Sequence, residues 1–291
     1  MIFLTKEPIN KGWSSDKKYC AIDEDGKKYL LRVSNIAQHD MKQSEFNRMK
    51  QVAALKIPMC LPIEFGVWDN EVYSIQSWID GVDAEEVILT FSDNEQYYYG
   101  FEAGQILKKI HSIPIPNTLK DWESRFNRKM DYKIQKYMEC PIKYKDGQAF
   151  IDYINENRHL IKNRPQVYQH GDYHIGNMMI DQNGRLYIID FDRNDYGDPW
   201  EEFNRIVWGA QKFPLFATGM VDGYFDNDIP IEFWKLLALY ISSNTLSSVP
   251  WAIPFGKEQI EVMISQAKDI LSWYDNMRNP IPTWYYKNFQ L

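Results

Sequence analysis

Hydrophobic and polar positions change their period partway along the chain. Residues 19–22 and 29–33 are strand-like runs on either side of Asp25-Gly26, which predicts two strands joined by a tight hairpin. Residues 40–55 switch to helical spacing, with Met41, Phe46, Met49, Val52 and Ala53 on one face and Lys and Glu on the other. Residues 73–79 return to a strand, closed by Asp80-Gly81. From Asn94 onward Tyr97, Phe101, Leu107 and Ile110 keep helical spacing until Pro114 and Pro116 end it. Residues 121–162, polar and aromatic, are expected to be helical, and helices dominate after Glu201. Between them, strands at 177–180 and 186–191 flank Asp181-Gln-Asn-Gly184, a second tight hairpin. The pattern predicts an α+β fold with a β-rich part over residues 1–80 and a larger α-rich part over residues 81–291.

Composition narrows this picture. The 291 residues are 44% hydrophobic and 25% charged, which is globular and leaves room for two lobes. The first residues meet charge and proline at Lys6, Glu7 and Pro8, too soon for a signal peptide. The longest apolar stretch, 233–241, is broken by Lys235 and falls short of the roughly 20 residues of a membrane span. Three cysteines with no C-x-x-C spacing signal neither a disulfide frame nor a zinc site, so a cytoplasmic location is expected, with no membrane partner. A net charge of −7 argues against nucleic acid as partner. From Asp190 on, 14 Asp and Glu face 8 Lys and Arg, while the preceding residues nearly balance at 26 against 25. That acidity is either a solvated surface or an attraction for a cationic ligand.

The chemistry concentrates in one place. His170-Gly-Asp172-Tyr-His174-Ile-Gly-Asn177 is followed 13 residues after Asn177 by Asp190. Phosphoryl transfer needs a carboxylate near the attacking hydroxyl and oxygen ligands for magnesium beside the nucleotide phosphates. A loop offering Asp172 and then Asn177 can serve both, and the hairpin strand returns with Asp190 as a second, charged oxygen ligand.

These residues resemble the aminoglycoside phosphotransferase family, the small-molecule branch of the protein-kinase-like fold. H-G-D-Y-H-I-G-N is similar to that family's H-G-D-x-H-x-x-N loop, and I-I-D-F-D with Gly197-Asp198-Pro199 to its I-D-F/W and G-D-P segments. The helix ending in Leu107-Lys-Lys-Ile-His111-Ser-Ile-Pro114 resembles its L-x-x-L-H-x-x-P helix. The resemblance implies a bilobal protein-kinase-like fold that uses ATP or GTP with Mg²⁺, the nucleotide lying between a β-rich and an α-helical lobe. It implies Asp172 as catalytic base and Asn177 and Asp190 as magnesium ligands. His174 falls where protein kinases carry a phosphate-contacting lysine, so it is either a donor to the γ-phosphate or a structural histidine, and His170 is expected to hold the loop's backbone. Arg32 stands in place of the family's phosphate-binding lysine, with Glu45 as its expected ion-pair partner. Gly12, Ser14 and Ser15 resemble a shortened phosphate loop, and Gln76, Ser77 and Trp78 the hinge that receives adenine. Glu202 replaces an aspartate expected to hold the catalytic loop.

No G-x-S-x-G elbow is present, and His170 and His174 lack the glutamate and helix of a His-Glu-x-x-His site. The expected function is transfer of a γ-phosphoryl group to a hydroxyl of a small molecule. The leading acceptor is a cationic aminoglycoside-type antibiotic, drawn by acids among Asp195, Asp198, Glu201, Asp226, Asp228, Glu232, Glu258, Glu261 and Asp269. A metabolic kinase for choline, homoserine, a thio-sugar or a glycated amine is the rival within the class. A non-catalytic, pseudokinase-like nucleotide binder is the rival outside it.

Overall fold

The computed structural model describes residues 1–10, 16–287 and 289. In chain order the strands are β1 (Phe3–Pro8), β2 (Lys17–Asp23), β3 (Lys28–Asn35), β4 (Pro62–Trp68), β5 (Glu71–Ser77), β6 (Gly81–Asp83), β7 (Val167–Gln169), β8 (Met178–Asp181), β9 (Leu186–Ile188) and β10 (Asp195–Gly197). The helices are α1 (His39–Ala54), α2 (Ala84–Val87), α3 (Asp93–Ile110), α4 (Trp122–Glu139), α5 (Gln148–Asn157), α6 (Ile206–Ala210), α7 (Pro214–Phe225), α8 (Ile231–Ala252) and α9 (Lys257–Trp273). Packing divides the chain into two compact units, Met1–Val87 with Gly176–Asn194, and Ile88–Ile175 with Asp195–Leu291.

The first unit is built on an antiparallel sheet of order β1-β2-β3-β5-β4. Its β2–β3 turn closes because Asp23 Oδ1 accepts the backbone N–H groups of Asp25 at 3.1 Å and Lys27 at 2.9 Å, while Gly26 takes a φ of 78°. One face of the sheet buries Ala21, Tyr29, Leu31, Val33 and Ile75. Strand alternation sends Arg32, Ser34, Ser74 and Gln76 to the other. The β8–β9 hairpin repeats the same turn chemistry, Asp181 Oδ1 accepting from Asn183 at 2.8 Å and Arg185 at 3.0 Å. This hairpin belongs with the first 87 residues, because β6 pairs with β8 and the Ile188 N–H donates to Pro58 O at 3.0 Å. The division at 80/81 drawn from the pattern therefore differs from the packing, which keeps β6 and this hairpin with the large sheet.

The second unit is mainly helical, with β7 and β10 paired in a small ladder. Ser92 and Glu95 form a capping box that starts α3. Helices α3 and α7 meet backbone to backbone through Gly100 and Gly104 on one and Gly219 and Gly223 on the other. A Cβ at Gly104 would overlap the carbonyl of Met220, and one at Gly219 the carbonyl of Tyr97. Helices α4 and α5 pack against α8, whose Leu237, Tyr240, Ile241 and Leu246 are buried. Among the described residues no helix is long and apolar enough to cross a membrane.

Candidate active site

In the second unit, β7 ends at Gln169 and the chain turns at Gly171, whose φ is 85°. The turn is held from below by one buried carboxylate. Glu202 Oε2 accepts the His170 N–H at 2.8 Å, and Oε1 accepts the Gly171 N–H at 2.7 Å. His111, just past the end of α3, lies 3.5 Å from Glu202 and touches the Tyr224 hydroxyl at 2.9 Å. The L-x-x-L-H pattern thus ends in a residue that backs the loop's anchor. His170 is fully buried, and its Nδ1 accepts the Asp172 N–H at 3.3 Å, the backbone role expected of it. Tyr173 fixes the other side, its hydroxyl donating to Ala103 O at 2.6 Å.

So constrained, the loop presents the Asp172 carboxylate beside two cationic or titratable groups. Arg205 Nε lies 3.3 Å and His174 Nε2 3.7 Å from Asp172 Oδ1. Asp198, from the G-D-P segment, is wholly interior: Arg164 grips it through Nε at 2.5 Å and Nη2 at 2.9 Å, and Tyr240 donates at 2.7 Å.

In the first unit a charge cluster forms around Arg32. Asp16 Oδ2 accepts from Arg32 Nε at 3.2 Å and Nη2 at 2.9 Å, Asp190 Oδ1 from Nη1 at 3.1 Å, and Asp192 Oδ2 from Nη2 at 2.8 Å. The expected Arg32–Glu45 pair is replaced. Glu45 pairs with Lys42 at 3.1 Å, and Lys42 also reaches Asp16 at 3.0 Å. The titration behaviour agrees with this choice of partner. Burial works to raise the Asp16 carboxyl, but Arg32, Ser34 and Lys42 outweigh it and hold it below the usual carboxylate range. For Glu45 burial prevails over Lys42, so its carboxyl is pushed up and it is the poorer anion. Burial likewise opposes the Arg32 charge, and Asp190, Asp192 and Asp16 overcome it and push its pKa further up.

The β8–β9 ladder brings Asn177 and Asp190 close, because the Ile189 N–H donates to Asn177 O at 3.0 Å. Asp190 sits in the left-handed region at φ 66°, a conformation seldom adopted without local constraint. Among the described residues no three His, Cys, Asp or Glu side chains gather as a ready metal centre. The donor set here is nonetheless all oxygen: the Asp190 and Asp192 carboxylates, which already share a cation, and the Asn177 amide. Such a set fits a hard divalent cation that completes its shell with phosphate oxygens and water.

The expected nucleotide contacts divide between two cavities of the first unit. Arg32, Glu45 and Gln76 line a small one of about 30 Å³ with Asp16 and Asp192. Ser77 and Trp78 line a larger one of about 350 Å³ with Met59, Leu61, Asp80 and Tyr187. Neighbours on a strand face opposite ways, which separates Gln76 from Ser77. The Ser77 N–H is also spent on Leu61 O at 2.9 Å, and the Trp78 indole N–H on Asp80 at 3.1 Å. Gly12, Ser14 and Ser15 lie outside the described residues. Sequence reasoning missed Asp16 and Asp192. Their available signals were the S-S-D run ahead of β2 and the second aspartate of I-I-D-F-D.

No curated protein sequence matches the chain. Solved structures match it over nearly its whole length at low identity. Amicoumacin kinase hAmiN, in complex with AMP-PNP, Ca²⁺ and Ami, is 12% identical with a TM-score of 0.65, over 95% of this chain and 90% of that one. A choline/ethanolamine kinase family protein from Mesorhizobium loti is 13% identical with a TM-score of 0.67, over 95% and 91%. A thermostable mutant of aminoglycoside phosphotransferase APH(4)-Ia is 14% identical with a TM-score of 0.64, over 93% and 94%. At such identities the likeness establishes the kinase-like α+β fold. The profile of the phosphotransferase enzyme family, APH, matches residues 5–234, and the chain belongs to that family.

Proposed function

We propose that the chain transfers the γ-phosphoryl group of ATP, or of GTP, to a hydroxyl of a small molecule. The observation that carries this reading is the loop from His170 to Asn177, held at its backbone by Glu202 so that Asp172 offers a half-buried carboxylate. Asp172 accepts the acceptor's hydroxyl proton as the new oxygen–phosphorus bond forms and the bond to the leaving nucleoside diphosphate breaks. Arg32 serves the α- and β-phosphates, and His174 either donates to the γ-phosphate or steadies Asp172. Asp190 and Asn177, with Asp192 beside them, are the groups that would hold Mg²⁺, which supplies neutralisation of phosphate charge.

A cationic aminoglycoside-type acceptor rested on the acid excess of the last third, and much of that excess is spent internally. Asp198 is buried against Arg164, Glu201 faces Lys129 at 3.3 Å, Asp195 faces Arg125 at 3.4 Å, and Asp226 faces Lys108 at 2.6 Å. The cation beside Asp172 favours the second reading, a metabolic kinase of the same fold, for an acceptor such as homoserine or a thio-sugar that is not purely cationic.

Turnover of Asp172→Ala and Asp172→Asn tests the assignment. A positioned proton acceptor contributes roughly 10²–10⁴-fold, so kcat should fall at least by the lower figure while nucleotide affinity stays near wild type. Retention of more than about a tenth of kcat removes Asp172 from the role. Nucleotide binding with no acceptor-dependent turnover in the wild type would favour the non-catalytic binder.

A further inference from the structure

Helix α4 places Arg125, Lys129 and Lys133 at four-residue intervals, along one face. Two of them are answered by protein carboxylates. Arg125 meets Asp195 and donates to Tyr196 O at 2.8 Å, and Lys129 meets Glu201. Lys133 is not answered in this way. Its hydrogen bond is a long one, from Nζ to the amide oxygen of Asn244 on α8 at 3.5 Å, and among the described residues no carboxylate lies within ion-pair distance of it.

The groups facing Lys133 are Lys129 on its own helix, Glu201, Arg205 and Asn244. Glu201 is already engaged by Lys129 and by Gln169 Nε2 at 3.2 Å. Arg205 turns its guanidinium to Asp172, the base of the proposed reaction, and adds positive charge on that side. Lys129, Lys133 and Arg205 therefore outnumber Glu201 and Asp172 in the immediate neighbourhood. The consequence appears in Lys133 itself: burial first, then Lys129, lower its pKa to about 7; Glu201 pulls the other way, and Arg205 adds a smaller push downward. A cation withdrawn from water without a counter-charge costs stability, and a ligand that brings the missing charge recovers it.

We propose that Lys133, with Arg205 and the Asn244 amide, receives an anionic group, a carboxylate or a phosphate ester, carried by the acceptor whose hydroxyl faces Asp172. This rests on the reading of Asp172 as base and names the acceptor's class. A polycationic acceptor would set ammonium groups against Lys133 and Arg205, a like-charge contact that disfavours it.

Calorimetric titration tests the charge preference independently of turnover. The protein is loaded with magnesium and AMP-PNP, so that the nucleotide site is filled. The probes are gluconate and ribose phosphate as the two anion types, glucose as neutral, and glucosamine and kanamycin as cations. Wild type should bind at least one anionic probe about tenfold or more tightly than its neutral and cationic counterparts. Lys133→Gln should lose about 10- to 100-fold of that affinity, the range for a hydrogen bond to a charged group, and Lys133→Arg should keep most of it. AMP-PNP affinity should not change with Lys133→Gln. Tighter binding of the cations, anion binding indifferent to Lys133→Gln, or no anion binding at millimolar concentration would each overturn the proposal. Loss of nucleotide affinity in Lys133→Gln would also overturn it, assigning the cation to nucleotide phosphate. Failure of the catalytic reading is separate: it appears as turnover surviving Asp172→Ala, whatever the charge preference.

Discussion

Arg32 and Lys133 are both cations drawn out of water, and the protein treats them oppositely. Arg32 is surrounded by Asp16, Asp190 and Asp192, and its charge is reinforced. Lys133 has an amide at 3.5 Å and two cationic neighbours, offset in part by Glu201, which Lys129 already engages, and its charge is weakened. The residue types suit the two situations, because a guanidinium cannot shed its proton in a protein and a buried ammonium can. A cation already matched by three carboxylates is held in place before any ligand arrives. A cation matched by none is where an incoming charge gains most. The first cluster is also rich in carboxylates: Asp16, Glu45, Asp190 and Asp192 gather about Arg32 and Lys42, a setting that suits uptake of a divalent cation.

Removing a carboxylate from the matched cluster should have the largest effect on nucleotide use. In Asp190→Ala the all-oxygen set loses a charged member, and kcat/KM for Mg·nucleotide should drop on the order of 10²–10³-fold, the scale for removing one preorganised electrostatic partner. Excess Mg²⁺ should restore little, and Asn177→Ala should be milder because a neutral ligand contributes less. Titrating nucleotide with and without Mg²⁺ decides the matter. An Asp190 variant with wild-type Mg²⁺ dependence would mean that the carboxylate serves Arg32 alone.

A smaller effect distinguishes Asp16 from Glu45. Asp16 takes two N–H groups of Arg32 and also holds Lys42 and the Ser34 hydroxyl at 2.7 Å. Asp16→Asn should therefore misplace Arg32 and raise nucleotide KM about tenfold, the equivalent of one charge-assisted hydrogen bond, with a lesser change in kcat. Glu45→Gln should do less. If Glu45→Gln is the more damaging of the two, the helix carboxylate rather than Asp16 positions Arg32 in the working enzyme.

Much of the fold was legible because it is local. The Asp-Gly turn set the first hairpin, helical spacing over 40–55 matches α1 at His39–Ala54, and the predicted 177–180 and 186–191 strands lie at β8 and β9. The loop from His170 to Asn177 was legible for the same reason, since its residue types stand within eight positions. What was not legible depends on distant partners. Arg32 meets Asp190 across 158 positions, and no local pattern says which of several carboxylates will be nearest. The crossing of α3 and α7 was hidden likewise. Gly100-x-x-x-Gly104 and Gly219-x-x-x-Gly223 each stand out only once the other is known to lie against it. The acid excess of the last third is hard to interpret for a related reason: net charge does not reveal that Asp198, Glu201 and Asp226 already pair with cations elsewhere in the chain.

The smallest expected effect bears most directly on Lys133. In an unfolded chain a lysine titrates near 10.4, whereas here the folded value is lowered to about 7. Below pH 7 both states carry the proton, and the folded protein bears the full cost of a partly buried, unmatched cation. Between about pH 7 and 10 the unfolded chain holds more protons than the folded one, so this residue's contribution to stability rises with pH. Lys133→Met keeps the apolar stem and removes the charge. It should therefore be more stable than wild type at pH 6, and the advantage should shrink as the pH climbs through that window. Lys133 is only half-buried, which limits the gain to about 1–2 kcal/mol, or roughly 2–8 °C in Tm. Matched thermal melts of the two proteins at several pH values measure the difference free of other titrating groups. Adding an anionic probe at pH 6 should raise wild-type Tm toward that of the variant and leave the variant unmoved. If Lys133→Met is instead the less stable protein at pH 6, the fold itself supplies a counter-charge to Lys133. The contrast with Arg32 would then disappear, and with it the physical reason for an anionic acceptor.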